Sequence, residues 1–209
     1  AGHIRNSGVE FSASYQQKIN NWSLDIRFNG ATLKNKAIDV GNDIYFNEDV
    51  ATGDYWDNYS LTRNGYPVGS FYGWRVEGIF QSQQEIDDLN AKVAPEDHGG
   101  YYQSASTQPG DFKYKDLNRD GWIDDKDREI LGDGYPKLNF GLNVNLGYKN
   151  WDFSLFSYGV LGQEILSYAY KNLTSMYVAD GGYRNVLKKY GENAWTPENK
   201  SNKYPRLTK

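Results

Sequence analysis

The stretch from Leu138 to Leu155, LNFGLNVNLGYKNWDFSL, decides the fold. Leu138, Phe140, Leu142, Val144, Leu146 and Tyr148 alternate with Asn139, Gly141, Asn143, Asn145 and Gly147, the period of two expected of a strand with one apolar and one polar face. A short turn at Lys149-Asn150 leads to Trp151, Phe153 and Leu155 opposite Asp152 and Ser154. The same design occurs near the start of the chain. Val9, Phe11, Ala13 and Tyr15 alternate with Glu10, Ser12, Ser14 and Gln16. After a turn at Ile19-Asn20-Asn21, Trp22, Leu24, Ile26 and Phe28 alternate with Ser23, Asp25, Arg27 and Asn29.

Alternation fits two folds: a water-soluble sandwich with a buried apolar face, or an outer-membrane barrel whose apolar face meets lipid. Strands of roughly 9 to 12 residues suit a tilted membrane crossing better than the usual 5 to 6. Aromatic residues flank both turns, Tyr15 with Trp22 and Tyr148 with Trp151, where an interfacial girdle belongs. The connections alternate between tight turns and long excursions, at 34–137 and from 162 on. The expected class is therefore all-β with long loops, a segment of a transmembrane antiparallel β-barrel with short helices and a calcium loop in extracellular excursions. The organisation expected is a barrel hairpin at 1–33, an excursion at 34–137, a second hairpin at 138–161 and a loop region at 162–209.

Composition agrees. Of 209 residues, 38% are hydrophobic, 16% aromatic and 22 are glycine, with 18 tyrosines, a balance that favours strands and loops over a helical enzyme. No cysteine is present, which excludes disulfide and thiol chemistry. A net charge of −4 without a long basic run argues against nucleic acid as a partner. No apolar run reaches the roughly 20 residues of a membrane helix, which leaves barrels open. The only histidines, His3 and His98, lie far apart without a nucleophile pattern, and Glu77, Glu85, Asp87 and Asp88 read as solvated carboxylates rather than a glycosidase pair. The expectation is that the chain is not an enzyme.

Within the first excursion, Phe71–Phe80 reads as a short strand broken by glycine. Ser82 with Glu85 forms a capping box opening a helix to about Ala91. Asp116 to Asp127, DLNRDGWIDDKD, places oxygen donors at calcium-loop spacing. Asp116, Asn118 and Asp120 take loop positions 1, 3 and 5, and Gly121 takes the turn. Trp122 offers its carbonyl, Asp124 a water-mediated contact, and Asp127 closes the site. Ile123 would pin the loop to a core, and a short helix is expected from Asp125 to Ile130. With Asp rather than Glu closing the loop, affinity should lie in the roughly 0.1 to 1 mM range of extracellular modules. Tyr55, Trp56, Tyr101, Tyr102 and Trp195 are candidate ligand or partner contacts, because aromatic faces stack on sugars and pack at interfaces.

The motifs GSFYGWRVEGIFQSQQEI from Gly69, PGDFKYKDLNRDG from Pro109, PKLNFGLNVN from Pro136 and YPRLT from Tyr204 resemble the SusC/RagA family of TonB-dependent outer-membrane transporters. The resemblance runs from about Asn6 to Thr208. It implies a barrel of about 22 strands with a plug, importing oligosaccharides or peptides across the outer membrane of a Gram-negative bacterium. It also implies TonB as energy source and a SusD-like surface lipoprotein as lid. The plug, TonB box and closing strands have no counterpart in the sequence, so a barrel segment with extracellular loops, inactive in transport by itself, is expected. The rival is a soluble secreted calcium-binding β module for polysaccharide or a protein partner. In that case Phe11, Leu24, Ile26, Leu142 and Val144 would lie beneath a second layer.

Overall fold

The computed structural model describes residues 2–46, 59–174 and 185–207. In chain order the strands are β1 (His3–Ser7), β2 (Glu10–Ile19), β3 (Trp22–Thr32), β4 (Lys34–Asp39), β5 (Ile44–Phe46), β6 (Ser60–Thr62), β7 (Ser70–Trp74), β8 (Val76–Ile79), β9 (Phe112–Tyr114), β10 (Arg128–Gly132), β11 (Leu138–Tyr148) and β12 (Trp151–Leu161). Helices are short: α1 (Gln83–Asn90), α2 (Tyr168–Asn172) and α3 (Lys188–Asn193). The chain forms two compact units. One gathers 2–46, 60–71 and 132–166; the other holds Tyr59, 72–131 and the described residues from 167 on.

The first unit is dominated by a four-stranded antiparallel sheet of order β12-β11-β3-β2. Both hairpins close through two-residue turns whose first residue, Asn20 or Lys149, sits at φ 53, the left-handed backbone that matches a turn to strand twist. β3 and β11, over a hundred residues apart in sequence, pair along their full length from Trp22↔Tyr148 to Thr32↔Leu138. Register therefore puts every apolar position on one face. Phe28 lies between Phe11 and Phe140 at centroid distances of 5.8 and 6.4 Å. Trp22 packs on Tyr148 at 4.2 Å beside the turns, and Trp151 next to them is 79% exposed. On the opposite face Asp25 accepts from Gln16 at 3.1 Å and pairs with Arg27 at 2.8 Å.

Among the described residues of this unit, none forms a second layer over the apolar face. Phe11 is 44% exposed, and Leu24, Ile26, Leu142 and Val144 are half-buried. A sandwich would bury all five. Burial in this unit is found beside the sheet instead, where β1 pairs with β4 and β5 with β6. Ala37 and Leu61 are fully buried there, and Asn35 donates to Asn6 at 2.6 Å while accepting from the Val68 N–H at 2.8 Å.

The second unit has a compact core of Phe80, Ile86, Val93, Tyr102 and Ile123, with Trp74, Leu89, Tyr114 and Trp122 packed against it. α1 begins as its capping box dictates: Ser82 accepts from the Glu85 N–H at 3.3 Å, while Glu85 reaches back one residue further, to the Gln81 N–H at 3.0 Å. The strand expected at Phe71–Phe80 breaks at Arg75 rather than at a glycine, giving β7 and β8. The expected helix at Asp125–Ile130 shrinks to a single 3-10 turn at Asp125–Asp127, and β10 follows. Packing overrides propensity here. Arg128 is drawn into an extended backbone because its guanidinium lies over the Tyr72 and Trp74 rings at 4.9 and 4.5 Å.

Candidate functional site

Asp116–Asp127 folds as a closed ring of side-chain-to-backbone bonds. Asp116 accepts from the Arg119 N–H at 2.6 Å and the Gly121 N–H at 2.9 Å. Asn118 accepts from the Asp120 N–H at 3.0 Å and donates to the Asp120 carboxylate at 2.7 Å. Asp120 accepts from the Trp122 N–H at 3.3 Å. Asp127 has no exposed surface; one oxygen accepts from Leu117 and Asn118 at 2.8 and 3.4 Å, the other from Asp124 at 2.8 Å. Arg119 at φ 62 and Gly121 at φ 101 supply the reversals that bring these short side chains inward. Asp124 caps the 3-10 turn, and the Lys126 N–H bonded to its carboxylate holds that group below its usual pKa.

The core anchors this ring. Ile123 is 6% exposed, and its N–H donates to the Tyr102 carbonyl at 2.7 Å. The Trp74 indole donates to the Asp124 carbonyl at 2.8 Å. The donors are all oxygen, as a hard cation requires, and the Asp116 and Asp120 oxygens each take a single N–H bond, which leaves each a second lone pair, whereas one Asp127 oxygen already takes two. In the present arrangement those oxygens are turned to N–H groups. Among the described residues no three His, Cys, Asp or Glu side chains converge closely enough to hold an ion.

Of the expected aromatic contacts, Tyr55 and Trp56 lie outside the described residues. Tyr101 is 40% exposed. Tyr102 and Trp195 are buried instead: the Tyr102 hydroxyl donates to the Tyr114 carbonyl at 3.1 Å, and the Trp195 indole donates to Gln81 at 3.0 Å. Tyr102 packs into the core with Phe80, Ile86, Val93 and Ile123, because a ring that large buries most of its area where apolar neighbours surround it. Glu85, Asp87 and Asp88 are engaged with Lys113, Gln83 and Gln84, respectively, as surface carboxylates.

Burial, reinforced by Asp116, Glu77 and Asp127, pushes Tyr102 up to about 12. An unfolded tyrosine ionises near 10. The stability its neutral phenol contributes is complete below pH 10 and is lost as pH rises toward 12. Thermal melts between pH 9 and 12 should therefore fall less steeply for Tyr102→Phe than for the parent. Parallel slopes would show that Tyr102 ionises freely.

Sequence reasoning missed the joint between two distant motifs. Arg206 of YPRLT pairs with Asp111 of PGDFKY through two bonds at 2.6 and 3.2 Å, and its N–H donates to the Gly110 carbonyl at 2.8 Å. The Gln81 amide also donates to the Ser201 carbonyl at 3.1 Å. Matching charges nearly a hundred residues apart carry no local periodicity to reveal them.

A long-stranded, uniformly antiparallel sheet with one apolar face left uncovered by the described residues and aromatic residues at its turns defines a segment of an outer-membrane-type β-barrel. No family model matches the chain. It is 31% identical to TonB-dependent receptors P3 and P26 of Formosa agariphila, over 98% of its own length and 19% of theirs. Over nearly its whole length the chain is similar to part of these TonB-dependent receptors, and it spans about a fifth of their length. Solved structures of the RagAB peptide transporter share the fold over 100% of the chain and 20% of theirs, with a TM-score of 0.65 at 16% identity. An "open-open" RagAB state gives 0.62 at 15%. Both agree with the resemblance to SusC/RagA carried by the motifs.

Proposed function

We propose that the chain is the barrel-wall and loop part of a TonB-dependent outer-membrane importer of oligosaccharides or peptides, working with a SusD-like lipoprotein and carrying no enzymatic activity. The uncovered apolar face of the β12-β11-β3-β2 sheet carries this reading, since lipid is the solvent that face requires. The polar face, with Asp25, Arg27, Asn143 and Asn145, then lines the lumen, and both long excursions stand outside the cell. RagAB, described as a peptide transporter, makes peptides one substrate class to test. Fractionated cells should hold the protein in the outer membrane as a heat-modifiable band several times larger than 23.9 kDa. A soluble band near that mass would refute the importer.

In this reading Asp116, Asn118, Asp120, Asp127 and the Trp122 carbonyl hold calcium, with Asp124 acting through water. A long loop outside the barrel wall gains order by linkage when a cation binds only its folded form. Calcium at ten times its dissociation constant would add about 1.4 kcal/mol. Terbium, also a hard cation, should bind the loop and emit on tryptophan excitation because Trp122 sits within it. Calcium should displace it, and Asp116→Ala with Asp120→Ala should abolish the signal. Emission that never saturates, or that survives the double substitution, would remove calcium from this loop.

A further inference from the structure

The described tail at 185–207 is basic in an acidic protein. It holds Lys188, Lys189, Lys200, Lys203 and Arg206 against Glu192 and Glu198. Lys188 pairs with Glu192 and Arg206 with Asp111. Lys189 and Lys203 are exposed and have no carboxylate partner among the described residues. Each lies instead on an aromatic ring, Lys189 at 4.9 Å from the Tyr170 centroid and Lys203 at 5.6 Å from that of Tyr204.

Those rings form a group. Tyr190 meets Tyr204 edge to face at 4.9 Å and Tyr170 at 6.0 Å, and the Tyr170 and Tyr190 hydroxyls are 3.3 Å apart. α2 and α3 hold the group in place, joined by the Leu187 N–H donating to the Leu173 carbonyl at 2.8 Å.

From this arrangement we propose that Tyr170, Tyr190, Tyr204, Lys189 and Lys203 form a binding face for an acidic oligosaccharide, resting on the importer reading above. Tyrosine rings offer flat apolar faces to the C–H faces of sugars, and their hydroxyls bond ring oxygens and hydroxyls. The two ammonium groups supply the counter-charge for carboxylate or sulfate substituents, strengthened by the low-polarity rings beneath them. An acidic peptide would offer the same charge without the flat C–H faces that tyrosine rings stack on, and it is the alternative that the test below separates.

Binding of three probes to the purified protein in detergent tests this: oligogalacturonate, a maltooligosaccharide of the same length, and oligoglutamate of the same charge. Oligogalacturonate should bind best and weaken with salt. Lys189→Gln with Lys203→Gln should weaken it about tenfold, equivalent to 1.4 kcal/mol, and Lys→Arg at both positions should restore it. Equal binding of oligoglutamate, or unchanged affinity in the double Gln variant, overturns the proposal. Outer-membrane fractionation of the same variants reports on the importer separately: a heat-modifiable band without patch-dependent binding sinks only this site, and the reverse result sinks only the importer.

Discussion

Gly110→Ala is expected to destabilise the second unit by about 3 kcal/mol or more. Gly110 sits at φ 92, where an L-residue costs roughly 1 to 2 kcal/mol. A Cβ there would stand 2.5 Å from the Trp195 ring and 2.7 Å from the Arg206 Cβ, and overpacking of this kind adds about 1 to 3 kcal/mol. Neither neighbour can withdraw cheaply. The buried Trp195 is tied to Gln81, and Arg206 to Asp111. The Gly110 N–H and carbonyl are also fixed, donating to the Phe80 carbonyl at 2.7 Å and accepting from the Arg206 N–H at 2.8 Å. Gly65→Ala is the matched control, because Gly65 lies at φ 95 with open space where its methyl would stand, nothing being within 4 Å, and should show the backbone cost alone. Hydrogen exchange at Phe80, Asp111 and Arg206 would localise the loss. If the two variants melt within half a kcal/mol of each other, a margin smaller than a typical single substitution, the Trp195–Arg206 clamp is not tight.

The same clamp shows where reading the sequence stops. Both hairpins were legible because side-chain period and turn position are local properties: β2, β3, β11 and β12 span 10 or 11 residues each, as alternation and turns implied. The β3–β11 pairing was not legible, since any two amphipathic strands satisfy the same pattern and only the folded connection selects between them. α1 was found because Ser82 and Glu85 lie within one helical turn. β10 was misread as helix because Arg128 owes its extended backbone to rings on β7, over fifty residues earlier. In the loop, donor types and spacing were visible in DLNRDGWIDDKD. The depth of Asp127 was not, because its burial depends on the core that Ile123 joins. Tyr102 and Trp195 failed as surface contacts for a related reason. Aromatic residues in loops look alike in sequence whether they face a ligand or pack inward, as Tyr102 does beside Ile86, Val93 and Ile123. The Tyr170, Tyr190 and Tyr204 group, by contrast, is assembled from two helices and a tail that no local pattern connects.

Val144→Arg and Asn145→Arg, one residue apart on β11, should differ by about 2 to 4 kcal/mol when the protein is unfolded from lipid bilayers. Val144 pairs with Ile26 and Leu155 on the apolar face and lies near the middle of an 11-residue strand. That position falls near the bilayer midplane, where an arginine costs about 2 to 4 kcal/mol. Asn145 pairs with Asp25 and Ser154 on the other face, so an arginine there gains a carboxylate neighbour and should be close to neutral. The pair separates solvents as well as faces. Val144 is only half-buried and has no covering layer among the described residues, so in water its arginine could turn outward and cost within about half a kcal/mol. A large cost at 144 with little at 145 therefore requires lipid on the apolar face. Equal, small costs would mean that this face meets water, and the barrel assignment would fall with it.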